Sequence, residues 1–341
     1  MEFDQIYDEI VSYEKIDQKG KQIECHGTPI EKKKRKCIFC GKSYPDVTFS
    51  KVAHAVSETL GNKVLISHYE CDKCNLAFGS VLEDSFGKYV APFKQISQIY
   101  GKKTTLIIKD FPKDNSLSYG TFRMESHSNC PAVDENGDIH NYIIEKSGTG
   151  ILKEIDGGYS LTIPRQKYDP RLVYAALLKM GYGLLPLSEI QNWIYDTLYL
   201  GEFTYNFKSN ESDQYFSSLP TKGILAFYAG KNPLNGLSVH LYRRKDNLSE
   251  SYFKYLFQLD FYNFSITVPI IFHTEIGNFS MPSSQYKNAT SVDLIDFRKE
   301  DVSFTCEFSA QKVEIPKCQY SQIESKLKEQ KLLICKESEN R

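Results

Sequence analysis

The chain has 341 residues, 41% hydrophobic and 25% charged, an ordinary globular composition with material for more than one core, so two domains are expected. It holds no run of about 18 apolar residues and no charged-then-apolar leader, which argues against a membrane span or secretory signal and sets a cytoplasmic expectation. The formal net charge of −1 conceals an asymmetry: residues 25–103 carry 13 Lys and Arg against 7 Asp and Glu, a net +6 that leaves −7 for the rest, the pattern of a polyanion-binding module joined to an acidic domain.

Phe3, Ile6, Tyr7, Ile10 and Val11 recur at helical spacing and predict an amphipathic helix over 3–14. Gly20, Gly27 and Pro29 mark a linker into the basic run Lys32, Lys33, Lys34, Arg35 and Lys36. Residues 47–56 and 63–69 are predicted as strands about a Gly61-Asn62 turn, followed by a helix from Cys74 to about Tyr89. Further strands are expected at 104–109, 121–126, 142–146 and 159–164. Asp169-Pro170 caps a helix through Leu172, Val173, Ala176 and Met180, and Ser188 with Gln191 has the spacing of a capping box that opens another. After a polar stretch at 208–218, strands are expected at 224–229, 237–242, 253–259 and 264–271, then a terminal helix at 326–333. Gly148-x-Gly150 and Ala229-Gly230-Lys231-Asn232 complete no phosphate-loop fingerprint and are read as turns. His127, His140, His240 and His273 stand in the sequence without an acidic neighbour or an i,i+4 partner.

Four of the nine cysteines form two C-x-x-C pairs, Cys37 with Cys40 and Cys71 with Cys74. Such spacing turns both sulfurs of a pair toward one ion, and two pairs complete a tetrahedral Zn2+ site with no open position, a structural rather than catalytic metal. Gly41 suits the tight turn of a zinc knuckle. Cys25, Cys130, Cys306, Cys318 and Cys335 follow no such pattern and are read as core or surface thiols.

Between the pairs lie Val52-Ala53-His54-Ala55-Val56 and Gly61-Asn62-Lys63-Val64-Leu65, and the second pair opens Cys74-Asn75-Leu76-Ala77-Phe78-Gly79. The segment from Cys37 to about residue 103 resembles the HNH endonuclease family. The resemblance implies a hairpin and a helix gripping one divalent ion, Mg2+ or Mn2+, with His54 as general base, Asn62 bracing the hairpin and Asn75 binding the ion. The chemistry suits those residue types: a neutral imidazole takes a water proton near pH 7, and a side-chain carbonyl suits a hard cation. Ala53 stands where the family usually places an acid or histidine before the base, and Gly79 fills a second ligand position. The ion would then draw on water, a backbone carbonyl, or an acid such as Glu70 or Glu83. Glu83 lies about 12 Å along the helix axis from Asn75, a distance that disfavours a shared ion. His68, on the second strand, is read as a packing or phosphate-facing residue.

The fold expected is therefore α+β: residues 1–36 an N-terminal helix and basic linker, 37–103 a zinc-stabilised ββα-metal module, and 104–341 a larger α+β domain with mainly antiparallel strands. The function implied is metal-dependent hydrolysis of DNA, with Lys32–Lys36 on phosphates and the C-terminal domain contacting a protein partner or small-molecule activator. In architecture such a chain resembles bacterial anti-phage defence effectors. The alternative is a zinc-knuckle nucleic-acid-binding or scaffold protein whose nuclease site has decayed, as Ala53 and Gly79 would permit.

Overall fold

A computed structural model describes residues 2–27, 30–97, 99, 108–113, 116–125, 142–145, 152–156, 158–192, 194–205, 221–229, 233–248, 252–270 and 283–308. In chain order the elements begin with α1 (Phe3–Ile6), β1 (Tyr7–Tyr13), β2 (Ile23–Glu24), β3 (Ala53–His54), β4 (Leu65–Ser67) and α2 (Asp72–Ile96). There follow β5 (Ile108–Lys113), β6 (Ser116–Glu125), β7 (Tyr142–Glu145), β8 (Leu152–Ile155), β9 (Gly158–Pro164), α3 (Pro170–Leu184), α4 (Leu187–Asn192) and α5 (Ile194–Tyr205). The last are β10 (Lys222–Phe227), β11 (Leu237–Arg244), β12 (Tyr255–Phe261), β13 (Phe264–Ile270), β14 (Ser291–Asp296) and β15 (Ser303–Phe308). The class is α+β, and among the described residues no helix is long and apolar enough to cross a membrane.

The chain divides into two compact units. One comprises Met1–Tyr89 and Gln166–Glu300; the other comprises Val90–Arg165 and Asp301–Arg341. The second holds two three-stranded antiparallel sheets, β15-β9-β8 and β5-β6-β7, with Phe93 edge-on to Phe304 and the Arg165 guanidinium over the Phe93 ring.

The first unit is organised by a six-stranded antiparallel sheet in the order β1-β11-β12-β13-β10-β14. Alternate residues of β12 and β13 divide by face. Phe257, Leu259, Ile266 and Val268 are fully buried and apolar; Gln258, Asp260, Ser265 and Thr267, buried too, occupy the other face. Helix α3 packs on the apolar side, where a Cβ added to Gly181 would meet Ile270 at 2.9 Å. Asp169 caps α3, its carboxylate accepting the Arg171 amide, as Asp169-Pro170 predicts. A small sheet, β2-β4-β3, belongs to the same unit, and the sequence order strand, strand, helix is realised in β3, β4 and α2.

Several elements differ from expectation for identifiable reasons. Only Phe3–Ile6 of the predicted helix over 3–14 is helical; Tyr7–Tyr13 is a strand paired with β11. A bulge between Glu9 and Val11 breaks the period of two, so the burial pattern imitates helical spacing. The strand predicted over 47–56 shortens to β3, because the Ser50 and Lys51 amides and the Thr48 hydroxyl bond to Asp72 instead of a ladder. Helix α4 starts at Leu187, with Pro186 accepting the Glu189 and Ile190 amides, so Ser188 does not open it. His240, without acidic neighbours in sequence, gains them across strands: Nδ1 lies 2.7 Å from Glu9 and Nε2 lies 3.6 Å from Asp260. Residues 104–107, 208–218 and 326–333, Gly148 to Gly150, Gly230 to Asn232, His127, His140, His273, Cys130, Cys318 and Cys335 lie outside the described residues.

Two glycines give a paired test of this packing. A Cβ on Gly201 of α5 would collide with the backbone carbonyl of Phe39, whereas one on Gly183 of α3 meets nothing within 4 Å. Gly201→Ala is expected to destabilise the first unit by about 1–3 kcal/mol, and Gly183→Ala to be neutral or stabilising by up to about 1 kcal/mol. Urea midpoints of the two variants check this.

Candidate functional site

The loop that holds Cys37 and Cys40 and the start of α2 that holds Cys71 and Cys74 bring four sulfurs within 4.8 Å of one another. The Cys37–Cys74 and Cys40–Cys71 separations are 3.7 and 3.8 Å. Sulfurs about 2.3 Å from a tetrahedral zinc ion stand about 3.8 Å apart, so the cluster fits that ion. The knuckle turn is closed by the Gly41 amide on the Cys37 carbonyl, with Gly41 at φ +67°, where a side chain would be strained. The Cys71 amide points at the Cys37 sulfur and the Cys74 amide at the Cys71 sulfur, donors that favour thiolates. Hydrogen bonding among the four divides them: Cys37 lowers Cys71 to about 7 and takes Cys40 well below the ordinary thiol range, while Cys37 and Cys74, the donors, are held well above it. Cys25, by contrast, is pushed up to about 12 by burial, an inert core thiol.

Asn62 is 2% exposed and makes four hydrogen bonds: its amide donates to the Val56 and Leu65 carbonyls, and its oxygen accepts from the Val64 and Leu65 amides. It therefore replaces the ladder that strands of two and three residues are too short to supply. Gly61, at φ +95°, allows the turn before it. His54 ends β3, opposite Ile66 of β4. Its Nε2 lies 3.4 Å from Glu58, while its Nδ1 is buried with no hydrogen-bond partner among the described residues. A ring arranged so, Nε2–H toward the carboxylate, presents the Nδ1 lone pair as an acceptor.

Asp72 anchors α2. Burial raises its pKa, but hydrogen bonds from the Thr48 hydroxyl and from the Lys51 and Ser50 amides outweigh it, leaving it below the usual carboxylate value. One face of the helix then presents Asn75, Phe78, Gly79, Leu82, Glu83 and Phe86 to a cavity of about 20 Å³ that Ser57, Ala176, Lys179 and Met180 also line. That volume exceeds the roughly 10–15 Å³ needed by one water. Asn75 and Glu83 both line the cavity because residues eight apart lie on one helical face, while the two turns between them keep them about 12 Å apart along the axis. Glu70, fully buried, is engaged elsewhere: burial raises its pKa, the Lys179 charge draws it back, and the two ion-pair at 2.9 Å. His54 itself is absent from the cavity lining. It connects to that wall through the Lys179 ammonium, which donates to the His54 carbonyl at 2.9 Å.

In the basic run, Lys32–Lys34 form an exposed 3-10 turn and Lys36 is exposed, with Lys34 3.0 Å from Glu31. Arg35 is 5% exposed, donating to the Ile30 carbonyl and lying 3.1 Å from His68 Nδ1; His68 Nε2 is 2.9 Å from Glu24. Arg35 and His68 therefore join the linker to the module's own framework. Lys179 went unnoticed in the sequence. Its signal was a lone charge within Val173–Leu184, an otherwise uncharged run that is buried throughout.

This geometry sets two expected outcomes. The folded protein is expected to hold one zinc per chain by elemental analysis, and Cys71→Ser to lose both the metal and the protease resistance of residues 37–90. Asn62→Ala leaves several buried backbone groups unpaired at about 1–3 kcal/mol each, so its urea midpoint should fall well below that of the wild type.

Comparison with known families adds one finding: the family model described as HNH endonuclease matches residues 37–90. No curated protein and no solved structure matches the chain. The matched segment contains the four-cysteine cluster, His54, Asn62 and Asn75, together with the two short strands and the helix that position them. Residues 37–90 thus match the HNH endonuclease family model as one segment of a longer chain.

Proposed function

We propose that the protein is a metal-dependent endonuclease that hydrolyses phosphodiester bonds in DNA, with His54 as the general base. The observation that supports this reading is the buried Nδ1 of His54, without a hydrogen-bond partner among the described residues, at the end of β3 within the segment that matches the HNH model. A nitrogen whose opposite ring nitrogen faces Glu58 has its lone pair free to take a proton from an attacking water. Asn62 keeps that nitrogen in place by fixing the hairpin. Mg2+ or Mn2+ would bind beside Asn75, whose amide oxygen supplies one ligand, with water and phosphate filling the other positions; the cavity of about 20 Å³ itself, with room for one water and with the Lys179 ammonium in its wall, does not fit the hydrated ion. When bound, such an ion offsets the negative charge that develops on the scissile phosphate. The zinc cluster has no free position and serves the fold alone. Lys32, Lys33, Lys34 and Lys36 supply sequence-independent contact with the phosphate backbone, a role the buried Arg35 does not share.

A second reading, a nucleic-acid-binding module without cutting activity, is favoured by Ala53 and Gly79, which bring no ligand to positions where the family commonly has one. Plasmid incubation with Mg2+ or Mn2+ separates the two.

His54→Ala is expected to abolish nicking while leaving DNA affinity unchanged, since a base acts on the barrier and not on phosphate contacts. Equal nicking by variant and wild type would remove His54 from the chemistry. Replacing Lys32, Lys33 and Lys34 with Ala should weaken all duplex sequences alike and lower the slope of log K against log salt by up to about three phosphate contacts. Filter-binding titrations across a salt series read that slope.

A further inference from the structure

The nuclease site does not end where the family match ends. Lys179 belongs to α3, about ninety residues beyond residue 90, yet its ammonium lies at the centre of the matched module. It donates to the carbonyl of His54 at 2.9 Å, pairs with Glu70 at 2.9 Å, and lies 5.8 Å from the centre of the Phe78 ring. It also lines the cavity that holds Asn75 and Glu83. Its side chain is 11% exposed and that of Glu70 is 1% exposed, so neither charge is solvated and each depends on the other. Helix α3 can carry a lysine there because it is itself immobilised: Asp169 caps it, and Gly181 brings it onto Ile270 and Phe257 of the sheet.

The need for such a contact is visible in the hairpin. Strand β3 has two residues, and its ladder fixes Ala53 against Ser67 and His54 against Ile66. Asn62 secures the chain beyond it, at Val56. The carbonyl of His54 is secured by Lys179, and the orientation of that peptide sets where the imidazole points.

We propose that Lys179 is a positioning residue of the nuclease site, holding the His54 backbone and the wall opposite Asn75 in one rigid arrangement, so that residues 170–184 form part of the nuclease centre. This rests on the reading of His54 as the base. A displacement of about 1 Å at a reacting group costs on the order of a hundredfold in rate, so the contact is large enough to matter.

The decisive variant is the double substitution Lys179→Met with Glu70→Gln in the full chain, which removes both charges and leaves no unpaired buried carboxylate. Lys179→Arg, which keeps the charge and the donor, accompanies it. The double variant is expected to keep its zinc, its urea midpoint to within a small shift, and its KM for plasmid. Its kcat should fall by about ten- to a hundredfold, with partial recovery in Lys179→Arg. A second readout needs no cleavage: the His54 ring resonances, assigned with His54→Ala, should shift and broaden in the double variant while those of His240 stay in place. Wild-type kcat with unmoved His54 resonances would overturn the proposal, leaving Lys179 a buried cross-link. Loss of zinc and of the fold in both variants would overturn it equally. If the wild type does not cut, the nuclease reading fails by itself, and the His54 resonances still decide whether Lys179 sets that ring.

Discussion

Everything at the site depends on one constraint, the convergence of four sulfurs from two distant turns. Thirty residues separate Cys40 from Cys71, and alone they would have little reason to fold: the two strands they contain span two and three residues. Tying both ends to one point removes most of the freedom such a segment would otherwise keep, which is why small metal-bound modules fold at all. It also fixes direction. Cys74 lies in the first turn of α2, so the cluster sets the start of that helix and thereby the position of Asn75, the next residue.

Around that point the module is held by groups of three kinds. Asn62 substitutes for a ladder from inside, with four hydrogen bonds in a buried setting where each unmade bond would be costly. Asp72 ties the loop at 48–51 to the helix start from its rim. The third kind comes from later in the chain: Lys179 on the His54 carbonyl, the Gly183 and Leu185 carbonyls accepting from Cys25 and lying 3.1 Å from His26, and α5 against Phe39. The first unit is therefore continuous through residues 37–89, and α3 joins it to the six-stranded sheet.

What the sequence made legible was local. Gly61-Asn62 announces a tight turn and Asp169-Pro170 a helix start because the interacting atoms lie within a few residues, and the two cysteine pairs, though thirty residues apart, announce one cluster because each pair carries its own C-x-x-C spacing. What stayed hidden depends on partners far away. Tyr7–Tyr13 has helical spacing and becomes a strand only because β11 supplies its hydrogen bonds and a bulge shifts its alternation. The acids at His240 arrive from β1 and β12, and no pattern within β11 reports them. Lys179 is the instructive case. A single charge in an apolar helix signals a buried partner, but the sequence alone does not name that partner.

The pairing of β1 with β11 carries a consequence for the making of the protein. Tyr7 lies against Arg244 and Tyr13 against Val239, so the opening strand has no neighbour on that side until well over two hundred further residues exist. At a synthesis rate of about 5–20 residues per second, that is a wait of roughly ten to fifty seconds for a nascent chain. An unpaired strand edge is a template for any passing strand, and natural sequences guard such edges with charge. Asp8 and Glu9 within the strand, with Asp4 and Glu14 flanking it, give this one a strongly negative character. The acids that surround β1 thus act before the fold exists, keeping this strand solvated and single until its partner is made.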